Sequence, residues 1–315
     1  MKTAIITGCT GQDGLILTNL LIKEKVNVYG ISKDSLFKNN SRIGKFNIFS
    51  KKSLNNIFMK IKPDFIFYFA SFKHSSEEKI NLDLKNAIFN KSYSIHFTAY
   101  KNILDIIHKH SLKTKIFYAS SSHIFGPQLS NKKLQYNSLF NPSTEYSITK
   151  TFGTYLSRYY REKHKLKIYV GIFFNHESEY SSEKFILSKI IHGAINIKTN
   201  RDQKLILGSL DSHIDLGYAK DYMILVYELI RLHKPDDYII SSGSRIKIGT
   251  IVKIVFDYLN IDYKKHIIID KDIVKRSKNL NLFGNNNIIK KTKAFKKFHK
   301  YDKFIQKIIR SKLGK

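Results

Sequence analysis

The hydrophobic positions in the first half of the chain follow two periods that alternate. Strand-like runs, either wholly apolar or alternating, occur at "TAIIT" (3–7), "VNVYGI" (26–31), "DFIFYFA" (64–70), "KIFYASS" (115–121) and "KIYVGIFF" (167–174). Segments with a helical period separate most of these runs, at 13–25, 94–110 and 143–164. Because strands that alternate with helices favour right-handed crossovers, the pattern predicts an α/β protein with a doubly wound parallel sheet.

The alternation loosens in the second half. Residues from about 176 to 203 and from about 234 onward predict a smaller, mixed region, whereas "LILG" (205–208) and "AKDYMILVYELIRLH" (219–233) are candidates to return to the main sheet. No repeat and no Pro- or Gly-rich linker separates the parts. We therefore expect two interleaved units, one of residues 1–175 plus about 204–233 and a smaller one of about 176–203 plus 234–315.

Composition excludes several classes of protein. With 42% hydrophobic and 13% aromatic residues, the chain of 315 residues has enough apolar surface for a packed core. Its apolar runs are far shorter than the roughly 18 to 20 residues that cross a bilayer, and "MKTAIITGCTGQDG" (1–14) does not fit a signal peptide. The single cysteine, Cys9, excludes an intramolecular disulfide and a Cys-rich metal site. We therefore expect a cytoplasmic protein with no membrane partner and no metal site.

The chain is strongly basic, with 55 Lys and Arg against 25 Asp and Glu and a formal charge of +30. Such an excess is one mark of nucleic-acid binding. The lysines, however, are dispersed among Asn and Ile, and only residues 290–315 are locally dense. This distribution favours a solvated basic surface that assists an anionic small substrate over a nucleic-acid interface.

The first candidate site is a glycine-rich turn. Gly8, Gly11 and Gly14 lie in "TGCTGQDG" (7–14), directly between the first predicted strand and the first predicted helix. Glycines allow a tight turn and a close backbone approach, and the helix N-terminus offers free N–H groups to a pyrophosphate. The alternative of a P-loop lacks the G-K-[ST] ending, so the turn predicts a dinucleotide site.

The choice of dinucleotide depends on the end of the second strand, about twenty residues further on. That end reads "GISKDS" (30–35). Lys33 offers a cation for the 2'-phosphate of NADP, while Asp34 leaves NAD open, since an acidic side chain there would hold ribose hydroxyls. We favour NADP as the cofactor.

The second candidate site is a Tyr and Lys pair. Tyr146 and Lys150 are four residues apart in the predicted helix 143–164, and therefore lie on one face. A lysine cation favours a nearby phenolate, so the pair can take a proton from a sugar hydroxyl while hydride leaves the same carbon for a nicotinamide. Ser121, at the carboxyl end of the strand 115–121, is expected to join them because open α/β sheets bind ligands at those ends.

With these residues the chain resembles extended short-chain dehydrogenases/reductases, and among them the GDP-mannose 4,6-dehydratase family. The most specific pieces are "TGCTGQDG" (7–14), "FNHES" (174–178) and "LGSLDSHIDLGYAKDY" (207–222). The resemblance implies a tightly held NADP, a Rossmann domain, a small C-terminal domain for a nucleotide-sugar substrate, and a homo-oligomer, either a dimer or a tetramer.

The resemblance also implies which further residues form the site. In addition to Tyr146 and Lys150, the residues implied to bind cofactor are Gly8, Gly11, Gln12, Asp13, Gly14, Lys33, Asn47, Ile48, Ala70 and His176. Those implied to bind substrate are Asn175, Lys189 and Arg276.

One position departs from the family at the reacting centre. Such enzymes oxidise C4 of the hexose, remove the C5 proton with a base as the C6 hydroxyl leaves, and return hydride to C6. In the family the stretch after the strand reads S-T-S-E-L-Y-G, whereas here it reads "SSSHIFG" (120–126), so Ser121 stands for the Thr and His123 for the Glu base. An imidazole is able to act as a base near neutrality, but its reach and charge differ from those of a carboxylate.

Other departures affect the nucleotide clamp. The P-R-R that follows N-H-E-S in the family is replaced by "EYS" (179–181), and the Arg of R-D-W-G is Ile214. Three functions therefore remain open: a GDP-sugar 4,6-dehydratase with His123 as base, a 4-keto reductase or epimerase that uses the same Ser, Tyr and Lys centre, and a non-catalytic binding protein on this fold.

Overall fold

The computed structural model describes residues 1–72, 81–128, 132–270, 272 and 282–314. The strands are β1 (Thr3–Thr7), β2 (Asn27–Ser32), β3 (Ser35–Lys38), β4 (Ser41–Lys45), β5 (Phe65–Tyr68), β6 (Lys115–Ser121), β7 (Lys167–Phe173), β8 (Asn175–Glu177), β9 (Leu205–Leu207), β10 (His213–Tyr218), β11 (Asp237–Ile240), β12 (Arg245–Lys247) and β13 (Ile267–Ile269).

The α-helices are α1 (Gln12–Lys23), α2 (Lys51–Ile61), α3 (Leu82–Tyr93), α4 (Tyr100–Lys109), α5 (Glu145–Lys163), α6 (Ile186–Thr199), α7 (Ala219–Leu232), α8 (Ile248–Tyr258) and α9 (Tyr301–Lys312). A π-helical turn, Ser94–Ala99, joins α3 to α4, and a 3-10 turn, Ser122–Phe125, follows β6. Further 3-10 turns lie at Tyr263–Lys265, Ile289–Lys291 and Phe295–Lys297. Among the described residues, no helix is long and apolar enough to span a bilayer.

The main sheet has eight strands in the order β11-β7-β6-β5-β1-β2-β3-β4. All neighbours from β11 to β2 pair in parallel, and β3 and β4 add an antiparallel hairpin at one edge. The chain passes from β1 to β2 on one side and then to β5 on the other side of β1, so the crevice of the switch point opens between β1 and β5. The predicted doubly wound parallel sheet is confirmed.

Helices cover both faces of this sheet. One buried cluster joins α1 and α7 to the sheet through residues such as Leu17, Leu21 and Val226. A second cluster on the opposite face joins α2, α4 and α5 to it, through residues such as Phe58 and Ile103. All four residues of β5 are buried, because a strand covered on both faces must be apolar on both.

Two strands of the second half differ from the sequence prediction. β9, the predicted return of "LILG" to the main sheet, pairs instead with β13 in a separate two-stranded sheet. β11, which lies in the part assigned to the smaller region, is an edge strand of the main sheet. Short apolar runs carry no information about which sheet they join, since pairing depends on the path of the intervening chain. The division into two interleaved units stays a prediction.

Candidate active site

Three of the predicted site positions follow neighbouring strands of the main sheet. Gly8 follows β1, Ala70 follows β5, and Ser121 ends β6. Because these strands are parallel, their carboxyl ends meet at one edge, which is where open α/β sheets bind ligands. The backbone N–H of Ala70 donates to Thr7 Oγ1 at 3.1 Å and joins the first two of these ends.

The glycine turn has the form of a backbone cradle. Gly8 has φ of +75°, a conformation that favours glycine, and a Cβ at Gly14 would lie 2.3 Å from the Gly8 carbonyl oxygen. Gly11 is the N-cap of α1, and within the described residues no side chain caps this N-terminus. The first N–H groups of α1 are therefore oriented to receive an anionic group, which fits the predicted pyrophosphate site.

Gln12 and Asp13 connect this turn to the segment that follows β7. The Gln12 side-chain amide donates to Asp13 Oδ1 at 3.0 Å and to the His176 carbonyl oxygen at 3.3 Å. Its oxygen accepts hydrogen bonds from the hydroxyls of Ser178 and Ser181. The end of "TGCTGQDG" (7–14) and the stretch "FNHES" (174–178), which are separate motifs in the sequence, thus form one hydrogen-bonded unit.

His176 and Asp13 form an ion pair in this unit. His176 Nε2 lies 3.0 Å from Asp13 Oδ2, and Nδ1 lies 2.8 Å from the Phe174 carbonyl oxygen. Burial lowers the pKa of His176, but the Asp13 charge and these hydrogen bonds outweigh it, so the pKa is raised overall. Burial raises the pKa of Asp13, but the charge and the hydrogen bond of His176 oppose this change, and the pKa is lowered overall. Since both partners of the imidazole are acceptors, both its nitrogens donate.

Tyr146, Lys150 and Ser121 are brought together as predicted. Tyr146 and Lys150 lie in the first turns of α5, and the Tyr146 side chain makes hydrogen bonds with Ser121 and Ser71. Lys150 is 1% exposed, and its Nζ donates to the Ala119 carbonyl oxygen at 2.8 Å. The helix begins with a capping box between Thr144 and Ser147, which fixes where this face of α5 starts.

Desolvation controls the protonation of this pair. Burial lowers the pKa of Lys150 to about 7, and the Asp13 charge opposes this change. Burial also raises the pKa of Tyr146 above its usual value. The expected lowering of the Tyr146 pKa by a lysine cation is therefore outweighed, because both groups are removed from water and the Lys150 ammonium points toward Ala119.

His123 lies beside the Tyr146 ring. It is in the 3-10 turn after β6, where its backbone N–H donates to Ser121 Oγ at 3.3 Å. Its imidazole meets the Tyr146 ring edge to face, with centroids 6.1 Å apart. The residue that stands for the family's glutamate therefore reaches the same centre as the Ser, Tyr and Lys group.

Sequence reasoning missed two residues of this centre, His96 and Ser71. His96 lies in the π-helical turn before α4 and is fully buried, and its ring meets the Tyr146 ring edge to face, with centroids 5.5 Å apart. Ser71 is the residue after Ala70 and contacts both His96 and Tyr146. The sequence did carry a signal for His96. It lies three positions before Ala99 and seven before Ile103, which puts a histidine on the apolar face of a predicted helix.

The remaining predicted residues lie around this centre or away from it. Lys33 is exposed in the turn from β2 to β3, next to Ser32, whose hydroxyl pairs with Thr10 of the glycine turn. Asn47 is exposed and accepts a hydrogen bond from the backbone of Phe49, while Ile48 is buried in the core on the α2 face. Asn175 begins β8 and Lys189 is part of α6. Arg276 lies outside the described residues.

Within the part of the chain that the structure describes, no group of three His, Cys, Asp or Glu residues is arranged to hold a metal ion.

Comparison with known proteins identifies the family. The model of the GDP-mannose 4,6 dehydratase family matches residues 5–303, nearly the whole chain. The chain belongs to the GDP-mannose 4,6-dehydratase family. The resemblance inferred from the motifs is therefore confirmed, and membership supports a GDP-sugar 4,6-dehydratase function.

Members of the GDP-mannose 4,6-dehydratase family match at modest identity. GDP-mannose 4,6 dehydratase 1 of Arabidopsis thaliana is 26% identical over 98% of this chain and 89% of its own length. GDP-mannose 4,6-dehydratase of Yersinia enterocolitica is 28% identical over 80% of this chain and 71% of its own length.

Solved structures share the fold. The RMD protein of Pseudomonas aeruginosa, solved with NADPH, has a TM-score of 0.81 at 15% identity and covers 100% of both chains. The dTDP-glucose 4,6-dehydratase of Bacillus anthracis, solved with NAD, has a TM-score of 0.81 at 14% identity, over 100% of this chain and 97% of that chain. At these identities the structures support the Rossmann-type fold alone.

Proposed function

We propose that the protein is a GDP-sugar 4,6-dehydratase in which His123 takes the place of the family's glutamate as the base at C5. The observation that carries this proposal is the geometry at Tyr146. The Tyr146 hydroxyl is hydrogen-bonded to Ser121. The His123 imidazole, which takes the place of the family's glutamate, lies edge to face with the Tyr146 ring. Family membership supplies the reaction class, and this arrangement supplies one group for each of its proton transfers.

The cofactor that we propose is a nicotinamide dinucleotide, namely NADP. The glycine cradle and the N-terminus of α1 fit a pyrophosphate, since a Cβ at Gly14 would fill the cradle. When bound, the nicotinamide accepts a hydride from C4 and returns it to C6. Exposed Lys33, together with the hydroxyls of Thr10 and Ser32, favours the 2'-phosphate of NADP over the bare ribose of NAD.

Tyr146 is the residue that we assign to the C4 hydroxyl. As C4 is oxidised, the Tyr146 phenolate takes the hydroxyl proton, and Ser121 is placed to hydrogen-bond both oxygens. The raised pKa of Tyr146 makes the phenolate a strong base but a rare species. Lys150 has a pKa of about 7 and gains or loses its charge near neutrality. Its protonation state therefore changes the electrostatic potential at Tyr146.

His123 is the residue that we assign to the elimination. Oxidation at C4 makes the C5 proton acidic, and the imidazole takes that proton and passes it to the C6 hydroxyl, which leaves as water. When hydride returns to C6, the proton that C5 regains is balanced by the one that Tyr146 took from the C4 hydroxyl. A neutral imidazole has a lone pair for this transfer. Its position on the 3-10 turn after β6, beside the Tyr146 ring, puts both proton acceptors at one end of the sheet.

The proposed substrate is GDP-mannose or a related GDP-sugar, bound by a homo-oligomer, with Asn175, Lys189 and Arg276 as substrate contacts. Lys189 is partly exposed on α6, and the formal charge of +30 suits a diphosphate ligand. These charges offset the loss of the family's P-R-R at "EYS" (179–181).

The test is to incubate the purified protein with NADP and GDP-mannose and to follow the nucleotide sugar by mass spectrometry for the loss of one water. We expect the wild type to form the dehydrated product. His123→Ala should stop water loss by at least about a hundredfold, the usual contribution of a general base, while reduced nicotinamide still appears. His123→Glu should retain elimination, and His110→Ala, a distant histidine bound to Asn55, should behave as the wild type.

Two results would contradict the proposal. Unchanged turnover in His123→Ala would remove His123 from the reaction. If the wild type binds NADP but leaves GDP-mannose intact, then consumption of NADPH with a 4-keto nucleotide sugar would favour the reductase or epimerase function instead.

A further inference from the structure

The buried imidazole of His96 makes three hydrogen bonds next to the redox centre. Its Nδ1 lies 2.8 Å from Thr149 Oγ1, and its Nε2 lies 2.8 Å from Ser71 Oγ and 3.3 Å from the backbone nitrogen of Phe72. His96 is 0% exposed and lies in a π-helical turn, a rare local structure that is frequent at functional sites. None of the proton transfers assigned to Ser121, His123, Tyr146 and Lys150 uses it.

The partners of His96 fix its tautomer. The backbone N–H of Phe72 is always a donor, so Nε2 must accept, and the ring proton is on Nδ1. Nδ1–H then donates to Thr149 Oγ1, whose own proton is directed to the carbonyl oxygens of Glu145 and Tyr146 at 3.1 and 3.0 Å. Every group in this set is satisfied in one arrangement only.

The tautomer fixes the direction of the next hydrogen bond. Since Nε2 accepts, the Ser71 hydroxyl donates its only proton to His96. Toward Tyr146, with which it also shares a hydrogen bond, Ser71 is left with lone pairs. A serine that donated to Tyr146 would lower its pKa. With its proton on His96, Ser71 instead accepts from the Tyr146 hydroxyl, so this contact favours the protonated phenol and orients its oxygen.

We infer that His96 is a positioning residue of the redox centre: as an uncharged Nδ1–H imidazole it fixes Ser71, and through Ser71 it orients the Tyr146 hydroxyl and favours its protonated form. The inference rests on the proposed function for its catalytic meaning. His96 is thus a third residue, after Ser121 and Lys150, that affects the protonation of Tyr146.

Burial keeps His96 uncharged. Desolvation, and secondly the Lys150 charge, hold the pKa of His96 well below its usual value of 6.5. A transfer of the Tyr146 proton onto His96 is therefore unfavourable, and the imidazole acts as an acceptor rather than as a proton store.

Several other groups face Tyr146 and enter its titration. Asp13, across the site from α1, raises the pKa of Tyr146 through its charge, and Lys150 is on the same face of α5. The His123 ring lies against it, and buried Tyr118 of β6 interacts with it. A test must therefore compare variants that differ at His96 and Ser71 alone.

The experiment is a titration of the protein labelled with 13Cζ-tyrosine, with Tyr146 assigned by its loss in Tyr146→Phe. This readout needs no catalytic turnover. In His96→Leu the Ser71 proton is released and is free to donate to the phenolate, so the Tyr146 midpoint should fall by about one pH unit, the size of one hydrogen bond. His96→Gln, whose side-chain oxygen accepts from Ser71, should restore the wild-type midpoint. His110→Leu, at the far end of α4, should leave it unchanged.

Ser71→Ala tests the same link from an exposed residue, so folding of the core is not at stake. Tyr146 then loses the acceptor for its proton and its midpoint should again fall, whereas a rise would show that Ser71 donates and would overturn the inference. In the Ser71→Ala background, His96→Leu should add no further shift. An unchanged Tyr146 midpoint in Ser71→Ala would also overturn the inference. This result decides the question even if His96→Leu does not fold.

A 15N-histidine spectrum gives a second readout, with His96 assigned by its loss in His96→Gln among the 12 histidines. We expect an uncharged Nδ1–H signal below the ordinary histidine pKa of about 6.5. An imidazolium or an Nε2–H signal there would contradict the inference. If the wild type makes no dehydrated sugar while both spectra behave as expected, the proposed function fails and the positioning role stands.

Discussion

Tyr146 is the residue around which the site is built. Its ring contacts two imidazoles edge to face, His96 at 5.5 Å and His123 at 6.1 Å between centroids. Its hydroxyl is bonded to Ser121 and Ser71, from two different strand ends. Residues that are far apart in the chain therefore contact one phenol. Each of them affects either the position of the Tyr146 side chain or its protonation.

Lys150 gives a prediction at the same scale. Burial holds its pKa near 7, below the unfolded value of 10.5, so the charged form costs the folded protein free energy. That cost is present in full below about pH 7 and is relieved as the pH rises toward 10.5. The stability of the wild type relative to Lys150→Met should therefore rise by about 2 kcal/mol from pH 7 to pH 9, measured by urea unfolding without cofactor. A flat difference would show that Lys150 is not desolvated.

At the scale of elements, the turn between β1 and α1 depends on the absence of side chains. Gly14 is in the first turn of α1, directly against the Gly8 carbonyl oxygen, and this contact lets the helix start immediately after the strand. The same contact brings the helix N-terminus to the ligand edge of the sheet. The glycine spacing in the sequence is thus a packing requirement before it is a binding motif.

Gly14→Ala tests this requirement. The added Cβ would lie 2.3 Å from the Gly8 oxygen and 2.7 Å from the Cα of Cys9, both backbone atoms, so we expect a loss of at least about 2 kcal/mol of stability and of NADP binding. Gly44→Ala is the matched control, because nothing lies within 4 Å of its Cβ. We expect a change within about 0.5 kcal/mol there. Equal effects of the two substitutions, in denaturant unfolding and NADP titration, would contradict this account.

At the scale of the whole molecule, the helix that carries Tyr146 and Lys150 is tied to the far edge of the main sheet. Asp237 of β11 accepts from Arg158 Nε at 2.6 Å and from an Arg161 terminal nitrogen at 2.8 Å. Both arginines are in α5, while Asp237 is 76 and 79 positions away in the chain. Asp237 is 2% exposed, so this is a buried carboxylate that requires both cations.

Asp237→Ala should therefore destabilise the protein by on the order of 2 kcal/mol, less than for a fully buried pair because the arginines are partly exposed. Asp211→Ala, which removes an exposed ion pair with Lys247, should have no measurable effect. Thermal or urea unfolding of both variants measures this. A wild-type stability for Asp237→Ala would show that α5 is held by its apolar face alone.

The sequence determined the parts of this protein that depend on local pattern. Alternating periods predicted the parallel sheet, the glycine spacing predicted the cradle, and a four-residue spacing put Tyr146 and Lys150 on one helical face, since these features need only neighbours in the chain. "SSSHIFG" (120–126) also predicted that His123 replaces the family's glutamate, and the structure places His123 beside Tyr146.

The tertiary structure decided what depends on distant neighbours. It added the β3-β4 hairpin, paired β9 with β13 rather than with the main sheet, and placed β11 beside β7. It also brought His96 and Ser71 to Tyr146, paired Asp13 with His176, and desolvated Lys150 and Tyr146. Burial and hydrogen-bond partners arise only when separate segments pack, and these contacts determine protonation in the site.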